Sequence, residues 1–443
     1  MIAEVQYRVR GTTARAIATS VENGVRSGDL TPGTRLAPVR TLAAELAVSP
    51  ATAAAAYREL RRRGLVAGEG RRGTRITARP PIIHRRAGPV PASMRDLAAG
   101  GPDARLLPKL RPLAAQSRSV ASGYEAGGNE PALLAAAAQD FAAHGVPSNH
   151  LAVVGGALDG IERVLAAHLL PGDRVVVEDP GFPPLLDLLR ALGLEARPVP
   201  IDDDGPDSEA LEAALAAGAS GVVLTPRAQN PTGAALSAAR AAAVRRAMRP
   251  HPDLLTIEDD HAGPVAGAGY HTTWERGRQR WAVVRSVSKS LGPDLRLAVM
   301  AGDPVTVDRV AGRQSLGTGW VSHILQRLVA DLWADGEAVA TVQRAAAAYA
   351  ERRGALLTAL SRRGLQGHGR SGLNVWIPVP EEAAAVRSLA EAGFAVEAGE
   401  RYRLASPPAI RVTVSTLRLN EADLVAEAIA GAVSAGPLRR VRS

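Results

Sequence analysis

The chain has 443 residues, 46% of them hydrophobic and 22% charged, which is the composition of a globular protein of two or three domains with length enough for a sizeable core. Cysteine is absent, so disulfides and thiolate metal sites are excluded and no metal is expected; no apolar run reaches the roughly 20 residues of a membrane span and the first ten residues carry no signal-peptide core, so a cytoplasmic protein with no membrane partner is expected. The net charge of +9 is uneven, with 17 arginines against 6 acidic residues in residues 1–95 and 36 basic against 38 acidic residues in the rest, which points to an anionic partner, nucleic acid first, for the N-terminal fifth.

Residues 13–27 read as a helix, with Ile17, Val21 and Val25 on one face. A turn-rich stretch, Leu30-Thr31-Pro32-Gly33, follows. A second helix spans about 39–47, with Leu42 and Leu46 inward. Ser49-Pro50 is an N-cap followed by proline at the first helical position, and the third helix runs to about residue 63 before Gly64 stops it. Residues 65–67 and 74–77 read as two short strands around the loop Gly68-Glu69-Gly70-Arg71-Arg72-Gly73. Helix, helix, turn, helix and ribbon make a winged helix-turn-helix.

The spacing resembles the DNA-binding domain of the GntR family. It is carried by Leu30-x-Pro32-Gly33-x-Arg35-Leu36-x-Pro38-x-Arg40-x-Leu42-Ala43, by Val48-Ser49-x-x-Thr52, and by Tyr57-Arg58-x-Leu60-x-x-x-Gly64-Leu65-Val66. In this geometry the third helix enters the major groove N-terminus first. Ser49, Ala51 and Thr52 lie at that end, and Arg40 is near it. Arg71, Arg72 and Arg75 on the wing are placed to meet backbone phosphate or the minor groove. Pro50 stands where some family members carry a base-reading arginine. Residues 1–78 are therefore expected to form a DNA-binding domain, and the proline-rich, basic residues 79–95 a semi-rigid linker.

Beyond residue 96 short apolar runs alternate with helical stretches. The runs are 151–154, 174–178, 221–225, 254–258, 282–285 and 297–301. Such alternation indicates a mainly parallel α/β sheet, here over residues 96–328. Alanine-rich helices and strands at 372–378 and 409–414 then suggest a smaller α+β lobe over 329–443.

Only two lysines are present, Lys109 and Lys289. Where arginine fills nearly every basic position, a remaining lysine is a candidate for chemistry that a guanidinium cannot do, such as forming a Schiff base. Lys289 follows Ser286-Val287-Ser288 at a strand end, with Arg296 beyond it. Three other strand ends carry Gly155-Gly156-Ala157, Asn230-Pro231-Thr232-Gly233 and Glu258-Asp259-Asp260-His261. Ligands of open α/β sheets sit at that edge, and free N–H groups at a helix start bind phosphate. A lysine, a carboxylate, an amide and a Gly/Ser/Arg set meet the needs of a phosphorylated pyridine aldehyde.

Residues 96–435 resemble fold-type I pyridoxal-phosphate enzymes of the class I/II aminotransferase type. With the GntR-like head, the whole chain is similar to the MocR subfamily of transcriptional regulators. The resemblance implies pyridoxal 5′-phosphate on Lys289, with Asp259 at the ring nitrogen and Asp260 as the alternative one residue on. Asn230 would face the phenolate oxygen, Phe182 would stack on the ring, and Gly156, Ala157, Ser286 and Arg296 would hold the phosphate. Tyr124 would reach that phosphate from the second subunit of a homodimer, and Arg411 would take an effector's carboxylate. The implied function is a DNA-binding regulator that senses an amino compound or pyridoxal phosphate itself. The alternative is a working aminotransferase carrying a DNA-binding module. His261 is counted among the cofactor-binding residues, as a shorter hydrogen-bond donor toward the phenolate oxygen where the family usually has a tyrosine; that change, with Leu158-Asp159 in place of glutamines after the glycine turn, points away from efficient transamination.

Overall fold

The computed structural model describes residues 7–62, 65–68, 73–77, 90–110 and 128–434. Tyr124, Arg71, Arg72, Gly64 and most of the 79–95 stretch lie outside them. The chain divides into two compact units.

The small N-terminal unit holds α1 (Ala14–Ser27), α2 (Val39–Glu45), α3 (Pro50–Arg62), β1 (Val66–Gly68) and β2 (Thr74–Ile76). Thr13 caps α1 by accepting the Ala16 N–H, and Gly28 ends it at φ +83, a left-handed conformation that glycine adopts without a Cβ clash. The Ser49 hydroxyl accepts the Thr52 N–H at 3.1 Å, which satisfies one orphan donor of α3 as its Ser-Pro start predicts. Ile17 and Val21, Leu42, Tyr57 and Leu60, and Val66 and Ile76 bury one face of each element in a common core. The Tyr57 hydroxyl donates to the Ala37 carbonyl at 2.6 Å, so its polar end is satisfied inside that core. β1 and β2 pair antiparallel, Val66 opposite Ile76, and Arg35 bridges Arg75.

Beyond the head come β3 (Arg95–Asp96) and α4 (Pro131–Ala143), followed by β4 (Leu151–Val154), α5 (Ala157–His168), β5 (Arg174–Asp179), α6 (Pro183–Ala191) and β6 (Glu195–Asp202). Next come β7 (Gly205–Pro206), α7 (Ser208–Ala216), β8 (Gly221–Leu224), α8 (Ala238–Met248), β9 (Leu255–Asp260), β10 (Trp281–Ser286) and β11 (Ala298–Gly302). Helices α9 (Pro304–Ser315), α10 (His323–Ala334) and α11 (Gly336–Ser361) lead to β12 (Asn374–Pro378) and α12 (Glu382–Glu391). Last are β13 (Phe394–Ala395), β14 (Glu397–Ala398), β15 (Ala409–Thr413) and α13 (Ala422–Ser434).

The main sheet has the order β4-β11-β10-β9-β8-β5-β6-β7. Strands β5, β8, β9 and β10 are parallel neighbours, while β11 runs against both β10 and β4. β8, β9 and β10 are buried along their whole length, so they read as continuous apolar runs rather than alternating ones. β6 has no counterpart among the expected strands. Its sequence, Glu195 to Asp202, contains Pro198 and Pro200 and has a single buried position, Val199, and such residues occur in strands only near a sheet edge.

The second sheet has the order β12-β15-β14 and packs with α11, α12 and α13 around Leu356, Ile377, Ile410 and Val425. Leu97 belongs to this cluster, and β3 pairs with β13. Residues 95–97, read from sequence as the junction of linker and large domain, thus pack into the C-terminal lobe.

Candidate functional site

Strand ends and the turns after them set the site. β10 ends at Ser286, whose hydroxyl donates to the Ser288 hydroxyl at 3.1 Å and accepts the Ser288 N–H. That turn presents Lys289, and its Nζ donates to the Gly100 carbonyl at 2.8 Å. Burial and the nearby Arg411 charge push the Lys289 amine down to about 8. A substantial neutral fraction follows near physiological pH, and the neutral amine is the form that attacks a carbonyl.

Asp259 and Asp260 end β9 with opposite environments. The Asp260 carboxylate receives Arg227 at 2.8 Å on both oxygens and Arg285 Nε at 2.7 Å. These cations hold it well below the usual carboxylate range. It is fully enclosed by them and has no role to offer a cofactor. Asp259 Oδ1 is buried and has no partner among the described residues. Burial, with the charges of Asp260 and Glu178, pushes its carboxyl up to about 7. A buried, unpaired carboxylate oxygen is costly unless a cation or donor meets it, and a protonated ring nitrogen is such a donor.

At the opposite end of the site Gly156 has φ +109, and a Cβ there would lie 2.9 Å from Arg296 Nη2. Arg296 itself is left-handed at φ +43, and Nη2 reaches the Gly155 carbonyl at 3.4 Å. A glycine turn, the start of α5 at Ala157 and an exposed guanidinium therefore converge, which is the donor set of an anion cradle. Asp159 takes the Gly155 N–H at 2.8 Å and pairs with Arg163, so that N–H is already bonded. Phe182 is half-buried beyond Asp179-Pro180-Gly181, a segment tied down by the Gly181 N–H to Tyr402 and by Asp179 accepting from residues 404–406.

Arg411 lies on β15, buried, with its plane 5.1 Å from the Tyr402 ring. Nη1 donates to Asn230 Oδ1 at 3.2 Å, Nη2 donates to the Ala98 carbonyl, and Nε has no partner among the described residues. Asn230 therefore faces Arg411 with its oxygen and keeps its amide N–H groups as the donor end. His261 differs from its expected role. Nε2 lies 2.9 Å from the Ala228 carbonyl, so Nε2 carries the proton and donates to it. Burial and the Lys289 charge push the imidazole down to about 4. His261 is a neutral ring whose N–H is engaged on backbone, leaving Nδ1 as an acceptor.

In the head, Arg40, Ser49 and Ala51 are exposed and Thr52 is half-buried. Arg58 and Arg61 add two exposed cations on α3 that sequence reasoning did not count among the DNA contacts, although their spacing of three marks one helix face. Arg75 donates to the Gly33 carbonyl at 2.8 Å, which anchors its guanidinium to the head itself. Sequence reasoning also passed over Arg227, Arg285 and Gly100. The signal for Arg285 was a charge inside the apolar run 281–286; Arg227 and Gly100 show themselves only in contact.

Residues 96–429 match the family model described as aminotransferase class I and II, and residues 13–76 match that of bacterial regulatory proteins of the gntR family. The vitamin B6 salvage pathway transcriptional repressor PtsJ of Salmonella typhimurium is 38% identical over 420 residues, covering 94% of this chain and 98% of that one. The chain belongs to the MocR-type regulators. The HTH-type transcriptional regulator TauR of Rhodobacter capsulatus is 28% identical, with 89% and 90% of the two chains covered. Among solved structures, the α-aminoadipate aminotransferase LysN of Thermus thermophilus, complexed with N-(5′-phosphopyridoxyl)-L-leucine, aligns at a TM-score of 0.68 and 22% identity over 78% of this chain and 93% of that one, which is a likeness of fold. This MocR-type protein is a DNA-binding transcriptional regulator with an aminotransferase-like domain for pyridoxal phosphate. Among the described residues no helix is long and apolar enough to cross a membrane.

Proposed function

We propose that this regulator reports on vitamin B6 supply, with occupancy of the Lys289 site altering how a homodimer binds its operator in the cytoplasm. The observation that carries the reading is the orphaned Asp259 Oδ1, buried at the end of β9 and without a hydrogen-bond partner among the described residues. Pyridoxal phosphate, when bound, supplies an electrophilic aldehyde, a protonatable ring nitrogen and a dianionic phosphate. Lys289 provides the amine for the aldehyde carbon. Asp259 holds the ring nitrogen's proton, Asn230 donates to the phenolate oxygen, and Phe182 covers a ring face. Gly156, Ala157, Ser286 and Arg296 hold the phosphate, joined by Tyr124 of the second subunit. Arg411 takes the carboxylate of an amino effector in place of the Ala98 carbonyl. His261, with its N–H on Ala228, leaves the phenolate to Asn230.

The name of the Salmonella typhimurium relative supports vitamin B6 as the signal and repression as the output. In the head, the N-terminus of α3 reads the major groove with Ser49, Ala51 and Thr52, while Arg40 and the wing arginines position it on phosphate. A second reading, residual transamination, is favoured by one observation: Arg411 forms no ion pair among the described residues, and its buried Nε lacks a partner. The deciding experiment is a spectrum of the purified protein with pyridoxal phosphate, followed by operator titration. A visible-edge absorption band that is lost in Lys289→Ala, together with operator affinity that depends on the cofactor, is expected. A band that persists in Lys289→Ala removes the lysine assignment, and cofactor-independent operator binding removes the sensing role. Turnover of an amino donor with a keto acid would favour the second reading.

A further inference from the structure

Asn374 is a polar residue at the start of an apolar strand. It opens β12, is 6% exposed, and is followed by Val375, Trp376 and Ile377. Thr413, also buried, lies directly opposite it on β15. Alternation along β15 puts Thr413 and Arg411 on one face of the sheet, and the antiparallel register adds Asn374 to that face. A buried amide and a buried hydroxyl are costly unless they are bonded. The Thr413 hydroxyl donates to Asn374 Oδ1 at 3.0 Å and accepts the Gly100 N–H at 3.2 Å. Asn374 Nδ2 donates to Asn230 Oδ1 at 3.5 Å, and Arg411 Nη1 donates to the same oxygen at 3.2 Å.

The direction of this chain of bonds is fixed at both ends, because a guanidinium and a backbone N–H can only donate. Arg411 requires the oxygen of Asn230 rather than its nitrogen, and that oxygen requires the nitrogen of Asn374. Asn374 so turned shows its own oxygen to Thr413, whose hydroxyl proton is available because the Gly100 N–H occupies a lone pair. A flipped Asn374 would set oxygen against oxygen at Asn230. An amide carries its nitrogen and oxygen on opposite sides of a plane, so two donors on Oδ1 turn Asn230 Nδ2 away from Arg411 and Asn374. Arg411 is also the group assigned to an effector's carboxylate, which leaves Asn374 as the hold on Asn230 that no ligand competes for. On the reading that places pyridoxal phosphate at Lys289 with its phenolate oxygen beside Asn230, we propose that Asn374 and Thr413 are positioning residues that aim the Asn230 amide N–H at that oxygen. A hydrogen bond to an ionised group favours its charged form, so a well-aimed Asn230 keeps the phenolate ionised to lower pH.

The test is a pH titration of the visible-edge absorption band of the full-length protein loaded with pyridoxal phosphate, run beside thermal melting. Asn230→Ala is expected to raise the midpoint by on the order of one pH unit. Thr413→Val keeps the side chain's shape and removes its hydroxyl. This variant and Asn374→Leu are expected to raise the midpoint in the same direction by about half as much. Thr413→Ser keeps the hydroxyl and is expected to hold the parent midpoint, and cofactor affinity in equilibrium dialysis is expected to fall in the same order. A merely structural role would lower the melting temperature of Thr413→Val and Asn374→Leu without moving the midpoint, and that result would overturn the proposal. A Thr413→Ser midpoint equal to that of Thr413→Val would overturn it as well. Should Asn374→Leu fail to fold, the two Thr413 variants decide. A midpoint moved by Asn230→Ala alone overturns the positioning role and leaves the cofactor site standing, whereas a midpoint unmoved in Asn230→Ala overturns the placement of Asn230 at the phenolate oxygen and the positioning role with it.

Discussion

The two faces of the sheet meet at Asp259 and Asp260, which are consecutive on β9 and almost equally buried at 6% and 0% exposure. Alternation along the strand sends their side chains to opposite sides. On one side Arg227 and Arg285 enclose Asp260. On the other, Asp259 pairs with no cation among the described residues, and the neighbouring carboxyls Asp260 and Glu178 push it further up. The same residue type at the same depth is a structural anchor in one case and a ligand-seeking group in the other. What differs is whether the protein brings its own cation or leaves that place to a ligand.

The largest effect expected from breaking this contrast is at Asp260. Asp260→Ala leaves two guanidinium groups buried without their shared partner, and a loss of about 3–5 kcal/mol in urea denaturation is expected. A loss below about 1 kcal/mol would show that Arg227 and Arg285 are not held by Asp260.

Asp259→Asn is expected to act in the opposite direction on the cofactor-free protein. A carboxyl raised on folding contributes its full stability below the unfolded value near 4 and loses it as pH rises through about 7. Asparagine stays neutral throughout. The variant is therefore more stable than the parent at pH 8, by on the order of 1–3 kcal/mol, and no different below pH 4. Melting curves at the two pH values check the sign, while cofactor affinity is expected to fall by at least about tenfold.

Gly156→Ala places a Cβ 2.9 Å from Arg296 Nη2 at a φ of +109. A stability cost of about 1–2 kcal/mol is expected, with weaker phosphate capture seen in equilibrium dialysis. The smallest effect is kinetic. Cofactor capture should accelerate between pH 7 and about 8 and then level off as the Lys289 amine becomes neutral. A stopped-flow rate that is flat across that range would place the amine's titration elsewhere.

Legibility followed the range of the interactions. The helix cap at Ser49, the parallel-sheet runs and the position of Lys289 are local patterns, and they were readable residue by residue. The strand β6 was not, because its prolines and exposed positions resemble a loop until a neighbouring strand is supplied. His261 was visible as a departure from a family pattern, but its hydrogen bond to the Ala228 carbonyl depends on a turn 33 residues away. The Ala98 and Gly100 carbonyls on Arg411 and Lys289 join segments 313 and 189 residues apart.

The amino-acid sequence by itself determined the two-part plan, the basic head and a lysine at a strand end, because charge distribution, periodicity and turn chemistry are properties of neighbours along the chain. It could offer Asp259 and Asp260 only as alternatives. The tertiary structure separates them, since the arginines that enclose one of the two arrive on a loop and a strand that are 33 and 25 residues away. Burial then turns that difference in partners into a difference in charge preference, a quantity no local pattern contains.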